Sequence, residues 1–435
     1  MSRFKAEHNL PIEYVCRKCN KTYSNLEYEQ SRFCNSCGSF LLRNFRDDRY
    51  AQMLAQKSFG KQALPSGPCG SNISSEEKLA LSRAAESLSD RIGRSKEYEV
   101  ISETEKEKQQ PGESAVESWI WSGEYDQALK LEQKLIKQYE GKSLQNAIAG
   151  EVVSNQQGEC YQISASCTST FKKATYQESR QQIISDLKAL PGIGPAREQT
   201  LKQQGYKTIE QLENHPLWKK QAQTFMKILN KQEIPPIQKW LWQRFPKSHP
   251  LLHYLAGFCQ DQDFAIVDIE TLGLSERPII LLGIAKPTKT HVCTSQFLLR
   301  DIQDEPGAIW ALISQLETNL SLITYNGRSF DIPYIKQRLA YYGLDVPLDN
   351  PHFDVLHFTR RALRHKLTDC KLETVEKYIG IERDINIPGA LVPHFYDTYL
   401  RTKNAGPLVA IVEHNKQDLL TLGTLFSKLY EEWNL

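Results

Sequence analysis

The 435-residue sequence has no apolar run of membrane length, no strong charge of either sign and no cysteine pattern of the secreted kind. Each lack excludes something. PIILLGIA (278–285), the longest apolar run in its part of the chain, is far shorter than the roughly 20 residues a spanning helix needs. The opening MSRFKAEHNL holds no apolar core of the kind a secretory signal requires, so the expectation is a cytoplasmic protein. A formal charge of +2 rules out a uniformly basic surface, so any nucleic-acid face must be local. Of the ten cysteines, Cys69, Cys160, Cys167, Cys259, Cys293 and Cys370 are scattered and are expected to be reduced thiols. Hydrophobic residues make up 40% and charged residues 24%, as in a soluble globular protein long enough for two to four domains.

The other four cysteines stand in two pairs, CRKC (Cys16, Cys19) and CNSC (Cys34, Cys37), with 14 residues between them. Two tight CxxC turns that each aim a pair of thiolates at one point make a tetrahedral zinc site, so residues 1–45 are predicted to form a zinc ribbon holding one Zn²⁺. Such a ribbon staples a module too short to fold alone, and can also grip nucleic acid or a repair or replication partner. Residues 46–113 are polar and read as linker. Residues 114–141 show helical spacing with a break at Gly123 and are predicted to form a helical hairpin, weakly like one tetratricopeptide junction and a second possible docking point for a protein partner.

Residues 180–215 contain LPGIG (190–194), then a helix through Arg197 and Leu201, then Gly205. This resembles a helix–hairpin–helix. In that motif a glycine turn exposes backbone N–H groups beside the positive end of the second helix, which makes a phosphate site without sequence preference. The candidate nucleic-acid contacts are Gly192, Ile193, Gly194 and Arg197, with Lys188 able to add charge. The bland alternative is a plain turn between packing helices.

From residue 258 strands and helices interleave, which predicts an α/β fold around a mixed sheet through residue 435. FAIVDIE (264–270) is a strand, and residues two apart on a strand share a face. Asp268 and Glu270 therefore project together where the strand ends. YNGRSFDIPYI (325–335) adds Asn326 and Asp331 at a strand-to-helix junction. EHNKQDLLTL (413–422) puts His414 and Asp418 four apart on one helix face. Asp268, Glu270, Asp331 and Asp418, in this order, resemble the four acids of the DEDD exonuclease superfamily on a ribonuclease-H-like fold, with His414 pointing to its histidine variant (DEDDh). The match departs in one respect: three residues separate His414 from Asp418, the spacing of the tyrosine variant. NGRSFDIP, HFDVLHFTRRALRHKL (352–367), CKLETVEKYIGIERDINIPGALVPHFYDTYL (370–400) and HNKQD are similar to the YprB-like branch of that superfamily.

The resemblance implies a metal-dependent nuclease acting 3′ to 5′, with two Mg²⁺ or Mn²⁺ held by the four acids and His414 as general base. The metals in such sites stand roughly 3.5–4 Å apart and need hard oxygen ligands. Thr271 and Asn326 are further candidates for contact with the nucleic acid, and Asp354 is read as a helix cap. Competing readings are a structure-specific endonuclease, and a non-catalytic nucleic-acid-binding or assembly protein on the same fold.

Overall fold

In the computed structural model of the chain the described residues are 13–15, 21–24, 42–43, 115–168, 171–273, 277–288, 290–317 and 319–433. They fall into two units, one within residues 1–92 and one within 93–435. In the first, β1 (Glu13–Val15) lies between β2 (Thr22–Ser24) and β3 (Leu42–Arg43) in an antiparallel sheet, with Tyr14 opposite Tyr23. The predicted zinc ligands Cys16, Cys19, Cys34 and Cys37 and the linker at 46–113 lie outside the described residues.

The second unit opens with α1 (Ala115–Gln138) and the short α2 (Leu144–Ala147). The hairpin expected over 114–141 is corrected here: one helix runs through Gly123 without a break. A single glycine costs a helix only about 1 kcal/mol, too little to force a turn in a segment of this length. Then come the hairpin strands β4 (Glu151–Asn155) and β5 (Gly158–Thr168) and a helical stretch of α3 (Tyr176–Ser185), α4 (Pro195–Gln203), α5 (Lys219–Leu229), α6 (Ile234–Trp242) and α7 (Pro250–Tyr254). The C-terminal part contributes β6 (Phe264–Thr271), β7 (Ile279–Pro287), β8 (His291–Leu298), α8 (Glu305–Gln315), β9 (Ser321–Thr324), α9 (Asp331–Tyr341), β10 (His352–Asp354), α10 (Val355–Leu363), α11 (Leu372–Ile379), α12 (Val392–Thr402) and α13 (Gly406–Trp433).

Seven strands form one mixed sheet in the order β10-β9-β6-β7-β8-β5-β4. β10, β9 and β6 run parallel, and β6 to β4 alternate antiparallel across β7, β8 and β5. This is the α/β mixed sheet flanked by helices that the sequence predicts. Its extent is not: β4 and β5, about a hundred residues before the expected start at 258, complete the sheet. Gly307 makes the fit possible, since a Cβ there would stand 2.7 Å from the Glu159 carbonyl oxygen. The Asn155 amide donates to the Gly307 carbonyl at 2.8 Å.

The helical stretch is not a separate domain either. Ile183, Leu201, Phe225 and Leu252 share one apolar core with Phe264, Ile266, Val375 and Phe426. On β6, Phe264 and Ile266 point into this core, so Asp268 and Glu270, continuing the same face, meet the same long helix α13. The core grips one end of α13 through Phe426, which lies 5.9 Å from Phe264 ring to ring. The acids meet its middle, at His414 and Asp418.

Candidate active site

Three elements bring the acids together. β6 carries Asp268 and Glu270, and its register with β7 breaks between Glu270 and Thr271. Such an irregularity re-aims side chains and ends pairing. α9 begins at Asp331, whose Oδ1 accepts from the Ile269 N–H at 3.2 Å and so ties the helix start to β6. α13 supplies His414 and Asp418. His414 Nε2 stands 3.8 Å from Glu270 Oε1 and 3.5 Å from Asp418 Oδ2. Glu270, Asp331, His414 and Asp418 are buried and Asp268 is half-buried.

Asp268 is aimed by a row of residues in adjacent strands. Gly283 lies opposite it on β7, and Gln296 lies opposite Gly283 on β8. A Cβ at Gly283 would come within 2.3 Å of Asn415 Oδ1. The glycine thus leaves room for the Asn415 amide, which donates to Asp268 Oδ2 at 2.7 Å and accepts from Gln296 Nε2 at 2.9 Å. The amide end of Asn415 is oriented by this chain, because Gln296 Nε2 can only donate.

The electrostatics record crowding. Burial, then the charges of Asp418, Glu270 and Asp331, push Asp268 well above the carboxylate range, against the pull of Asn415. Burial, with Asp418 and Asp331, does the same to Glu270. Burial pushes Asp331 up to about 7, although its own and the Ile269 backbone N–H groups work against the shift. Burial moves His414 the other way, below the usual imidazole value. Acids raised by burial and by one another's charge are a donor set short of positive charge. Among the described residues, Glu270, His414 and Asp418 each offer a ligand atom within 4.8 Å of the others, close enough to share an ion. The hard carboxylate oxygens of this set fit a divalent cation such as Mg²⁺ or Mn²⁺.

Sequence reasoning missed Arg383. Its Nε and Nη2 donate to Glu376 Oε2 at 2.6 Å and Oε1 at 2.8 Å, Nη2 also donates to Asp418 Oδ1, and Nη1 lies 3.0 Å from His414 Nδ1. Glu376, buried, also accepts from the Thr421 hydroxyl at 2.5 Å. Burial opposes the charge on Arg383, but Asp418 and Glu376 hold it well above its ordinary value. The signal in the sequence was faint: RDINIPG reads only as a loop near the cleft.

Other predicted contacts are engaged within the protein. The Thr271 hydroxyl donates to the Gly273 carbonyl at 2.8 Å and closes the turn after β6. Asn326 adopts a left-handed conformation (φ 62°), and its backbone N–H donates to Asp354 Oδ1 at 2.9 Å. Asp354 caps α10 through Leu356 N and also takes the Arg328 N–H, so it clasps the NGR loop. At the predicted hairpin, Gly192 has φ 85° and Gly194 precedes α4, whose N-terminus has no side-chain cap. Three of the candidate residues there also have partners within the protein. The Ile193 side chain is fully buried and anchors the turn, with its N–H donating to the Leu190 carbonyl. Arg197 Nη1 donates to the Gly192 carbonyl at 2.6 Å. Lys188 pairs with Asp186 at 3.3 Å and Glu198 at 3.1 Å. Short loops bring backbone carbonyls and acids within reach of these cations, which the linear sequence does not display.

Comparison with known proteins agrees with the geometry. Residues 265–430 match the RNase_H_2 family model of the RNase_H superfamily. These residues form an RNase H-like domain. A stretch of 192 residues is 33% identical to an uncharacterized protein, YprB, of Bacillus subtilis (strain 168), covering 43% of this chain and 46% of that one. The match thus spans about half the length of that relative.

Proposed function

We propose that the chain is a metal-dependent nuclease that hydrolyses phosphodiester bonds, acting as a 3′–5′ exonuclease through two divalent ions. The observation that carries this reading is the convergence of Asp268, Glu270, Asp331 and Asp418 from β6, α9 and α13 into one buried group, in which burial first and neighbouring carboxylates second raise Asp268, Glu270 and Asp331. Buried carboxylates in this state are unfavourable unless a cation joins them. The four acids would hold the ions, which when bound supply Lewis acidity to the phosphate and a nucleophilic water at neutral pH. Asn415 keeps Asp268 turned to the cluster, and Arg383 keeps Asp418 in place.

Nucleic acid is the substrate class this reading requires, and one surface supports it. Arg328, three residues before Asp331, lies over the ring of Trp242 at 4.8 Å, and Lys247 stands 5.7 Å from the same ring. Trp242 is 37% exposed. A cation-flanked indole offers a base a stacking face and the backbone a positive edge. On the hairpin, the N–H groups at the uncapped start of α4 remain suited to a phosphate.

End-labelled single- and double-stranded DNA and RNA, incubated with Mn²⁺ or Mg²⁺, test the proposal. The expected result is a ladder receding from the 3′ end that Asp268→Ala abolishes. Fragments of defined length would turn the reading to an endonuclease. Binding without any cleavage would turn it to a non-catalytic protein.

A further inference from the structure

We propose that Arg383 is a positioning residue that fixes His414 with its ring proton on Nε2, so that His414 serves this site as a hydrogen-bond donor and not as the general base. The argument is one of donors and acceptors. A guanidinium has five N–H donors and no acceptor. Arg383 Nη1 lies 3.0 Å from His414 Nδ1, so Nδ1 is the acceptor. A doubly protonated ring has no lone pair to offer there. The ring is therefore neutral with its single proton on Nε2, the nitrogen that faces Glu270 at 3.8 Å and Asp418 at 3.5 Å. A protonated Nε2 cannot take a proton from water. It can donate to an oxygen that enters the cluster.

Arg383 is held to this task from the other side. Its fork pairs with both oxygens of Glu376 while one arm reaches Asp418 Oδ1. That leaves Asp418 Oδ2 on the side of Glu270 and His414. A planar group serving three acceptors is a task for arginine, since a lysine ammonium is a single point. The spacing of His414 and Asp418 makes the arrangement possible. Four residues advance a helix by about 400°, so the two side chains lie about 40° apart and one guanidinium reaches both. One more residue between them would separate them by about 140°. The short spacing in HNKQD and the arginine at 383 thus belong together.

The tautomer stands apart from the nuclease reading, while the use of the donor rests on it, and two measurements separate them. The first is long-range ¹H–¹⁵N correlation of the histidine rings in the full-length, metal-free protein, with His414 assigned by its loss in His414→Gln. The expected pattern is an unprotonated Nδ1 and a protonated Nε2, with that preference lost in Arg383→Leu. A proton on Nδ1 in the wild type overturns the proposal. So does an unchanged pattern in a folded Arg383→Leu protein, and Arg383→Met, which likewise removes every donor, repeats the comparison if the leucine variant does not fold. The second is cleavage by His414→Gln beside His414→Ala. A donor role predicts that alanine loses about 10²–10³-fold, the typical cost of removing one positioned donor, and that glutamine, which keeps an N–H, recovers at least tenfold of the loss. Glutamine as inactive as alanine would overturn the donor role and restore the base. Wild-type protein that cleaves nothing would count against the nuclease reading and overturn the donor role with it, leaving the tautomer to the spectra.

Discussion

At the scale of single residues, the candidate site is governed by the burial of carboxyls close to one another. Glu270 illustrates it. Its carboxyl is raised above its ordinary value, so the folded chain holds that proton more tightly than the unfolded chain does. Stability of the metal-free protein must then fall as pH rises from the ordinary glutamate range through the folded value. Glu270→Gln mimics the protonated form. We expect it to raise the melting temperature of the metal-free protein at pH 8, with a gain that shrinks toward pH 5, as read by differential scanning fluorimetry. A gain of equal size at both pH values would show that ionisation of the buried carboxyl is not its cause. Asn415 acts through its bond to Asp268. Asn415→Ala is expected to weaken Mn²⁺ binding by about 10–100-fold, the usual effect of losing a group that orients a metal ligand. Calorimetric titration with Mn²⁺ checks it.

At the scale of elements, the site is a meeting of the β6 end, the α9 start and the α13 face, and small residues decide how closely they approach. A Cβ at Gly283 would clash with Asn415 Oδ1 at 2.3 Å and Leu419 Cδ1 at 2.9 Å. Gly283→Ala should push α13 off the sheet, costing about 1–3 kcal/mol, as overpacking does, and misaiming Asp268 as well. Urea denaturation reads the first effect and Mn²⁺ titration the second; loss of stability with normal metal affinity would mean that Asn415 does not depend on this close approach. The brace of α9 lies elsewhere. Arg338 on α9 donates to Glu305 at 2.7 Å, both buried, and Glu305 accepts from Ile279 N on β7 at 2.9 Å. This network joins α8, α9 and β7 and holds the helix that starts at Asp331.

At the scale of the whole molecule, residues 171–258 and the RNase H-like domain share a core, so they should fold together. A fragment beginning at Gln260 loses Leu252, Leu255 and Ala256 from that core. It should lack the fixed tertiary packing seen by near-UV circular dichroism, whereas a fragment beginning at Ser143 should keep it. His253 lies at this junction. It is fully buried, stacked on Tyr430 at 3.9 Å and accepts from Trp433 Nε1 at 2.7 Å. Burial pushes it down to about 3. Below about pH 6.5 the unfolded chain therefore binds a proton that the folded chain refuses. Stability should fall as pH drops through that window, by up to about 1.4 kcal/mol per pH unit from this one group. His253→Gln should flatten the acid limb of urea midpoints measured from pH 7 to pH 4.

The acids at the end of β6, the start of α9 and the face of α13 were legible because each rests on a local rule: alternation on a strand, a strand-to-helix junction, four residues to a turn. The mixed sheet was legible for the same reason. These features depend on neighbours a few residues away, and the amino-acid sequence by itself determined them. What it could not display were pairings over long separations. β4 and β5 join the sheet across more than a hundred residues, and their alternating pattern alone names no partner. Asn415 looks like a helix-surface amide until Gly283 opens a place for it. Arg383 looks like a loop cation until α11 and α13 bring Glu376, His414 and Asp418 around it. The lone pair of His414 is settled by the one neighbour that can only donate. Only the tertiary structure decided these, because hydrogen-bond roles and charge states follow from which groups meet, and packing across distant segments sets which groups meet.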